Sequence, residues 1–407
     1  MKARLFFWLV YGLLLLGVTV AATEMVAAFL VPSWPARDMR PLEVTSTPEI
    51  VYNDWALRDR PRSFARPPGV AFRSVLVGDS FLEGPYLKAP LSALVEKRLA
   101  VAGRSDMEAI NFGVSATGPQ QYYYRIKDVG LDLKPDAVIV NVYAGNDFIS
   151  VRYGSWIPPL VAERPLPSLL GAVAPRTTWL AVNRLGLSEF GRGNKPLDWE
   201  YARLNEWLDL PTSARLDKMV DHLKQYYFPK LDEGTIREIL SRGDGHFWTP
   251  FAGKPGEREA LAGWLLSSVV DWETGQWKMP RDAAEAERLN AGKMVEETLS
   301  WLVAAQRLAK ANGFQLVVAL IPVGTGDPAY VDFWRLWPKY FSYALSADAR
   351  HRSLAEGLRR TGVPVIDLRD DLNGIPGTYR LTDGHWTQKG TEIVADRLAR
   401  ELLKLRR

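Results

Sequence analysis

Short apolar runs bounded by turn residues recur along the chain at 74–78, 109–112, 137–143, 315–321 and 363–368. Each is short enough, and rich enough in Val, Ile and Leu, to predict a buried strand. Between them apolar positions return with the period of a helix. "PLSALVEKRLAVAG" puts Leu91, Leu94, Val95 and Leu99 on one face. "AAEAERLNAGKMVEETLSWLVAAQRLAKANG" predicts one long helix that stops at Asn312-Gly313. In the last segment Val394, Leu398, Leu402 and Leu405 form one stripe. Apolar strands alternating with amphipathic helices imply βαβ units, hence an α/β fold with a parallel sheet covered by helices on both faces.

Two regions depart from this rhythm. Between about 150 and 280 the alternation stops and tryptophans become frequent (Trp156, Trp179, Trp199, Trp207, Trp248, Trp264, Trp272 and Trp277), which reads as an insertion on the sheet. Large aromatics serve cores more often than cleft walls, although one or two could stack on a sugar ring. "LAGWLLSSVV" at 261–270 is bounded by charges and reads as a buried core element. At the other departure, Lys2 and Arg4 precede an uncharged stretch from Leu5 to Thr23. A helix of that length spans roughly 30 Å, about one bilayer core. Val20-Ala21-Ala22 resembles a cleavage site, but apolar character resumes at Val26, Phe29 and Leu30, favouring an uncleaved signal anchor over residues 1–31. The basic residues ahead of it put the following chain outside the cytoplasm, periplasmic or extracellular. Residues 32–70, rich in Pro and Arg, read as an irregular stalk, and 71–407 as the main domain interrupted at about 150–280.

Composition mainly excludes. With 51 basic and 47 acidic residues and no Lys/Arg run, nucleic acid is not an expected partner. The chain has no Cys, only 4 His and no H-E-x-x-H, so neither a metal nor a cofactor is expected.

The candidate chemistry sits at strand ends. "VLVGDSFLEG" leads a strand into Gly-Asp-Ser, which would display Ser80 beside backbone N–H groups at a strand–helix turn; a simple cap by Asp79 and Ser80 is the plainer reading of the tripeptide alone. "INFGVSATGPQQ" leaves a strand at Gly113 and "VIVNVYAGNDF" leaves another at Asn146, whose amide is a donor. "LTDGHWTQKG" sets His385 two residues after Asp383, ahead of the last helix, where a carboxylate can hold one ring nitrogen and leave the other as base. A second Asp-Gly-His, at Asp244 to His246, has no strand leading into it and reads as a turn with a solvated His. His222 reads as a surface or groove residue and His351 as exposed. Ser115 in "GVSAT" lacks the second Gly of a G-x-S-x-G elbow.

These four stretches, in this order, resemble the SGNH/GDSL hydrolase superfamily over residues 73–149 and about 313–405. The resemblance implies a three-layer α/β/α sandwich on a parallel sheet of about five strands. It implies Ser80 as nucleophile, His385 and Asp383 as its partners, and Gly113 and Asn146 as oxyanion donors. The family commonly carries Asp three residues ahead of the His, where this chain has Thr382. The D-x-H-W form is similar to membrane-tethered sugar O-acetyl esterases and O-acetyltransferases. The resemblance therefore implies an ester hydrolase acting on O-acetyl or O-acyl groups of an envelope or extracellular glycan. The alternatives are an O-acyltransferase using the same residues with an acyl donor from a membrane partner, and a non-catalytic glycan-binding protein.

Overall fold

A computed structural model of the chain describes residues 2–30, 52–150, Ala174, Thr177 and 200–406, interrupted at 54, 56, 85–86, 116, 243–244, 255–258, 260, 262, 276–279, 281, 291 and 383. An apolar helix, α1 (Lys2–Leu30), opens it. Its Phe6–Ala27 stretch has a mean hydropathy of 2.0 and is long enough to cross a membrane.

The sheet follows as β1 (Phe72–Gly78), β2 (Met107–Gly113), β3 (Ala137–Tyr143), β4 (Gln315–Ile321) and β5 (Val365–Asp367). All five strands are parallel, in the order β2-β1-β3-β4-β5. Side chains alternate across the sheet, so each strand feeds two cores. On one face Val75, Val77, Ile110, Val138, Val140 and Val318 pack under α4 (Pro119–Asp128), α11 (Lys293–Asn312) and α13 (Pro338–Thr361). On the other, Leu76, Ala109, Ile139, Val317 and Ala319 pack under α3 (Leu91–Val101) and α14 (Gln388–Leu405). The stripe read from the sequence is the buried one: Leu91, Val95, Leu99, Val394, Leu398 and Leu402 are all fully buried.

Two expectations need correction. The single helix over 283–313 is two, α10 (Ala283–Asn290) and α11, because the chain between them passes through Gly292 at φ 113°. That backbone conformation is closed to other residues at low cost, so the apolar period carries across a break it cannot reveal. Part of the segment read as an irregular stalk packs on the domain. Residues 57–62 have no helix or strand, yet Leu57, Arg58 and Asp59 are buried, and Arg62 is held by Asp59 at 2.8 Å, Glu96 at 2.8 Å and Glu108 at 3.4 Å. The domain's packing thus begins ahead of residue 71. Lastly, His222 and His351 are interior, at 3% and 1% exposure.

Between β3 and β4 the described part of the insertion is helical: α6 (Glu200–Trp207), α7 (Thr212–Tyr226), α8 (Glu233–Ser241) and α9 (Gly263–Glu273). These helices share a core of Leu204, Met219, Ile236, Phe247, Trp248 and Leu265. The same core takes Phe333 and Trp334 from α12 (Pro328–Trp334) and Trp337 just beyond it, residues that follow β4. The insertion is therefore joined to the sheet through the β4 connection.

Candidate active site

Strand β1 ends at Gly78, and a one-turn helix, α2 (Ser80–Glu83), starts immediately after Asp79. Asp79 caps that turn by accepting from Phe81 N at 3.0 Å. Ser80 takes the first helical position, where a backbone N–H has no intrahelical acceptor. The chain leaves β1 toward β2 on one side and later returns to add β3 on the other. The end of β1 is thus the point of reversal, where a crevice opens at the carboxyl edge of such sheets. Half-buried Ser80 sits at that point.

His385 meets it from the far end of the sequence. Its Nε2 lies 2.7 Å from Ser80 Oγ, a hydrogen bond in which a neutral imidazole accepts the hydroxyl proton. The histidine rides on a closed hairpin: Arg380 N donates to His385 O at 2.7 Å, Gly384 N to Arg380 O at 3.2 Å, and Tyr379 bridges Trp386. The foot of the hairpin is fixed by one fully buried carboxylate. Asp327, which caps α12, accepts from Gly377 N at 3.0 Å, Thr378 N at 2.7 Å and Tyr379 N at 3.0 Å. Phe81, the residue after Ser80, packs its ring on His385 at 4.8 Å, Trp386 at 4.8 Å and Tyr143 at 4.4 Å, so nucleophile turn and histidine share one aromatic contact.

Behind Ser80 lies buried acid. Burial pushes the Asp79 carboxyl up to about 6, against the opposing pull of the Phe81 N–H and of His385. Asp147, in α5 (Asp147–Ser150), is pushed well above the usual carboxylate range by burial and by Asp79. It accepts from Tyr122 Oη at 3.0 Å and Tyr143 N at 2.8 Å. Arg125 is buried beside them and donates to Phe112 O at 2.7 Å and Gly78 O at 3.3 Å, joining the ends of β1 and β2.

Ser80 and His385 are thus together. Asn146 lies exposed in the turn after β3, the strand beside β1, at the same edge. Asp383 and Asp244 lie outside the described residues. Gly113 closes β2, and its N–H donates to Asn111 Oδ1 at 2.8 Å. A Cβ there would come within 2.3 Å of Glu83 N, so close packing of α2 on the end of β2 is what requires glycine. Half-buried His246 packs on Phe333 at 5.7 Å rather than standing in solvent. His222 pairs with Glu200 at 2.5 Å and His351 with Asp367 at 2.9 Å, both away from Ser80 in the interior. Sequence reasoning missed Asp327, Asp147 and Glu83. Glu83 accepts from Ser115 N at 2.8 Å and Ser115 Oγ at 2.6 Å, tying the turn after β2 to the nucleophile turn. For Glu83 the only signal was its place one helical turn after Ser80. Among the described residues no group of three or more His, Asp or Glu is placed to hold a metal ion.

Residues 276–407 match the family model described as ALGX: SGNH hydrolase-like domain, acetyltransferase AlgX. The chain carries an SGNH hydrolase-like domain. The match spans β4, β5 and His385, whereas Ser80 and Asn146 precede it. Solved structures similar to the chain include an acetyl xylan esterase (10% identity, 81% of this chain and 99% of that one, TM-score 0.37). They include a GDSL-like lipase from Bacteroides thetaiotaomicron (11% identity, 84% and 92%, TM-score 0.34). An extracellular lipase from Streptomyces rimosus also matches (10% identity, 82% and 100%, TM-score 0.34). No curated protein matches the chain.

Proposed function

We propose that the chain is a serine esterase for O-acyl groups, with Ser80 as nucleophile and His385 as general base. The observation that carries this reading is the 2.7 Å contact between Ser80 Oγ and His385 Nε2 at the point of reversal of the sheet. His385 takes the Ser80 proton as Oγ attacks the ester carbonyl carbon, and the carbonyl electrons move to oxygen. The Ser80 N–H and the Asn146 amide are the proposed donors to that oxyanion, and Asp383 the proposed support of the imidazolium. The oxyanion collapses, His385 protonates the departing alcohol, and an acyl-Ser80 ester remains. Water, deprotonated by His385, then attacks the acyl carbon, the bond to Ser80 Oγ breaks as His385 returns the proton to Oγ, and the carboxylic acid leaves.

A sugar hydroxyl in place of water would make the same site a transferase, and the family description over residues 276–407 favours keeping that second reading. On either reading we place the site outside the cytoplasm, held at a membrane by α1 and facing an O-acylated glycan, with a membrane partner as acyl donor if transfer operates. The long apolar helix supports the membrane part. The test is p-nitrophenyl acetate turnover by the full chain in detergent, with and without an oligosaccharide acceptor. Acetate release that requires Ser80 supports hydrolysis, and acetyl recovered on the sugar supports transfer. Equal turnover by the Ser80→Ala variant would sink both.

A further inference from the structure

Among the described residues of the insertion, Glu259 reaches the hairpin that carries His385. Glu259 lies between α8 and α9, where Glu259 N donates to Pro250 O at 2.9 Å. Two residues on, Leu261 is fully buried, and both its N and its O are bonded to the side chain of Asn205, at 3.2 and 3.1 Å. Glu259 N and Leu261 are thereby tied to the insertion. The Glu259 side chain points the other way, onto the hairpin that carries His385. Glu259 Oε2 accepts from Thr382 Oγ1 and lies 3.8 Å from Arg380 Nη2. Thr382 is buried at 3% exposure and Glu259 is half-buried, so this hydroxyl–carboxylate bond is partly shielded from water.

The residue between them is held from the same side. Trp334 Nε1, in the aromatic core shared with the insertion, donates to Leu381 O at 2.8 Å, and Leu381 packs on that core. Residues 380, 381 and 382 are thus gripped from outside the sheet, while Arg380 N and O close the hairpin onto His385 and Gly384. Asp327 fixes only its foot.

We propose that Glu259 is a positioning residue for His385: through Thr382 and Arg380 the insertion sets the hairpin at the height where Nε2 meets Ser80 Oγ. The proposal rests on the reading of Ser80 and His385 as the catalytic pair. Glu259 touches neither Ser80 nor the reacting atoms, so its loss acts on the rate of reaction more than on binding of a small ester. Displacing a catalytic group by about 1 Å costs up to 10²-fold.

The experiment uses the full chain in detergent, comparing wild type with Glu259→Ala, Glu259→Gln, Thr382→Val and the Glu259→Ala/Thr382→Val double variant. Two rates are read: fluorophosphonate labelling and p-nitrophenyl acetate turnover. Glu259→Ala is expected to lower labelling rate and kcat roughly 10- to 10²-fold, with KM within about twofold. Glu259→Gln, which keeps an acceptor for Thr382, should recover part of the loss. The double variant should be no slower than the worse single, because both act through one contact. Labelling and turnover at wild-type rates in a folded Glu259→Ala, judged by circular dichroism, would overturn the proposal. If Glu259→Ala does not fold, Thr382→Val decides, and unchanged rates in it would overturn the proposal equally. A wild type that turns over ester but loses nothing in these variants refutes the positioning role alone. A wild type that neither labels nor turns over refutes the catalytic reading and this inference with it.

Discussion

His351 and His385 each make a short side-chain hydrogen bond through Nε2, to Asp367 at 2.9 Å and to Ser80 at 2.7 Å. On distance alone either is half of a catalytic constellation. Their surroundings separate them. His351 is buried, and its partner Asp367 is closed off by Arg369, which lies 2.6 Å away. Burial pushes the Asp367 carboxyl up, but hydrogen bonds from His351 and Arg369 outweigh it and hold it well below the usual range. That carboxylate is a satisfied ion-pair partner with no nucleophile beside it. His385 is half-exposed, faces a hydroxyl at the start of a helix, and lies where the sheet order reverses. Chemistry at a histidine thus depends on what its partner can do once deprotonated, and on whether a substrate can reach it.

The sharpest way to break this comparison is to truncate each ring. Removing His385 should lower kcat on p-nitrophenyl acetate by on the order of 10⁴-fold or more, with little change in the urea midpoint. Removing His351 should do the reverse, costing about 3 kcal/mol of stability in urea melts, since one partner of a buried pair is lost, while turnover per folded molecule is kept. If His351→Ala lost turnover at full stability, the assignment of the two histidines would be backwards.

A third substitution tests the acid behind Ser80. Asp79 rises from 3.8 to about 6 on folding, so the folded state holds its proton more tightly. The stability this contributes is full below about pH 4 and is lost as pH rises toward 6. Asp79→Asn keeps the cap acceptor and cannot ionise. It should gain on the wild type by on the order of 3 kcal/mol between pH 4 and pH 7. A constant difference between the two across that range would show that Asp79 does not bind a proton on folding. The smallest effect is expected at the other Asp-Gly-His. His246→Ala removes a ring that packs on Phe333, so stability should fall by no more than about 1 kcal/mol, with turnover unchanged. A lost turnover there would reopen the choice between the two tripeptides.

Much of the scaffold was legible because strand burial and helix stripes are local signals. The runs at 137–143 and 315–321 match β3 and β4 end to end, and Leu91, Val95 and Leu99 face the core as spaced. What failed was set by residues far away in sequence or by backbone. Glu200 and Asp367 sit 22 and 16 residues from the histidines they hold, so nothing local told His222 or His351 to be interior. Gly292 breaks a helix at φ 113°, which an apolar period does not register. Within the site, Ser80 and His385 stood out because each follows a strand-end or Gly-flanked motif. Asp327 and Glu259 did not, since their roles exist only once Gly377 to Tyr379 and Thr382 are folded against them.

The most direct measurement is to react the full chain with a fluorophosphonate and locate the adduct by peptide mass. A single adduct on Ser80, absent in Ser80→Ala and formed far more slowly in His385→Ala, is the expected result. An adduct on Ser115 or elsewhere, or labelling that persists unchanged in Ser80→Ala, would contradict the pairing of Ser80 with His385 as the catalytic centre.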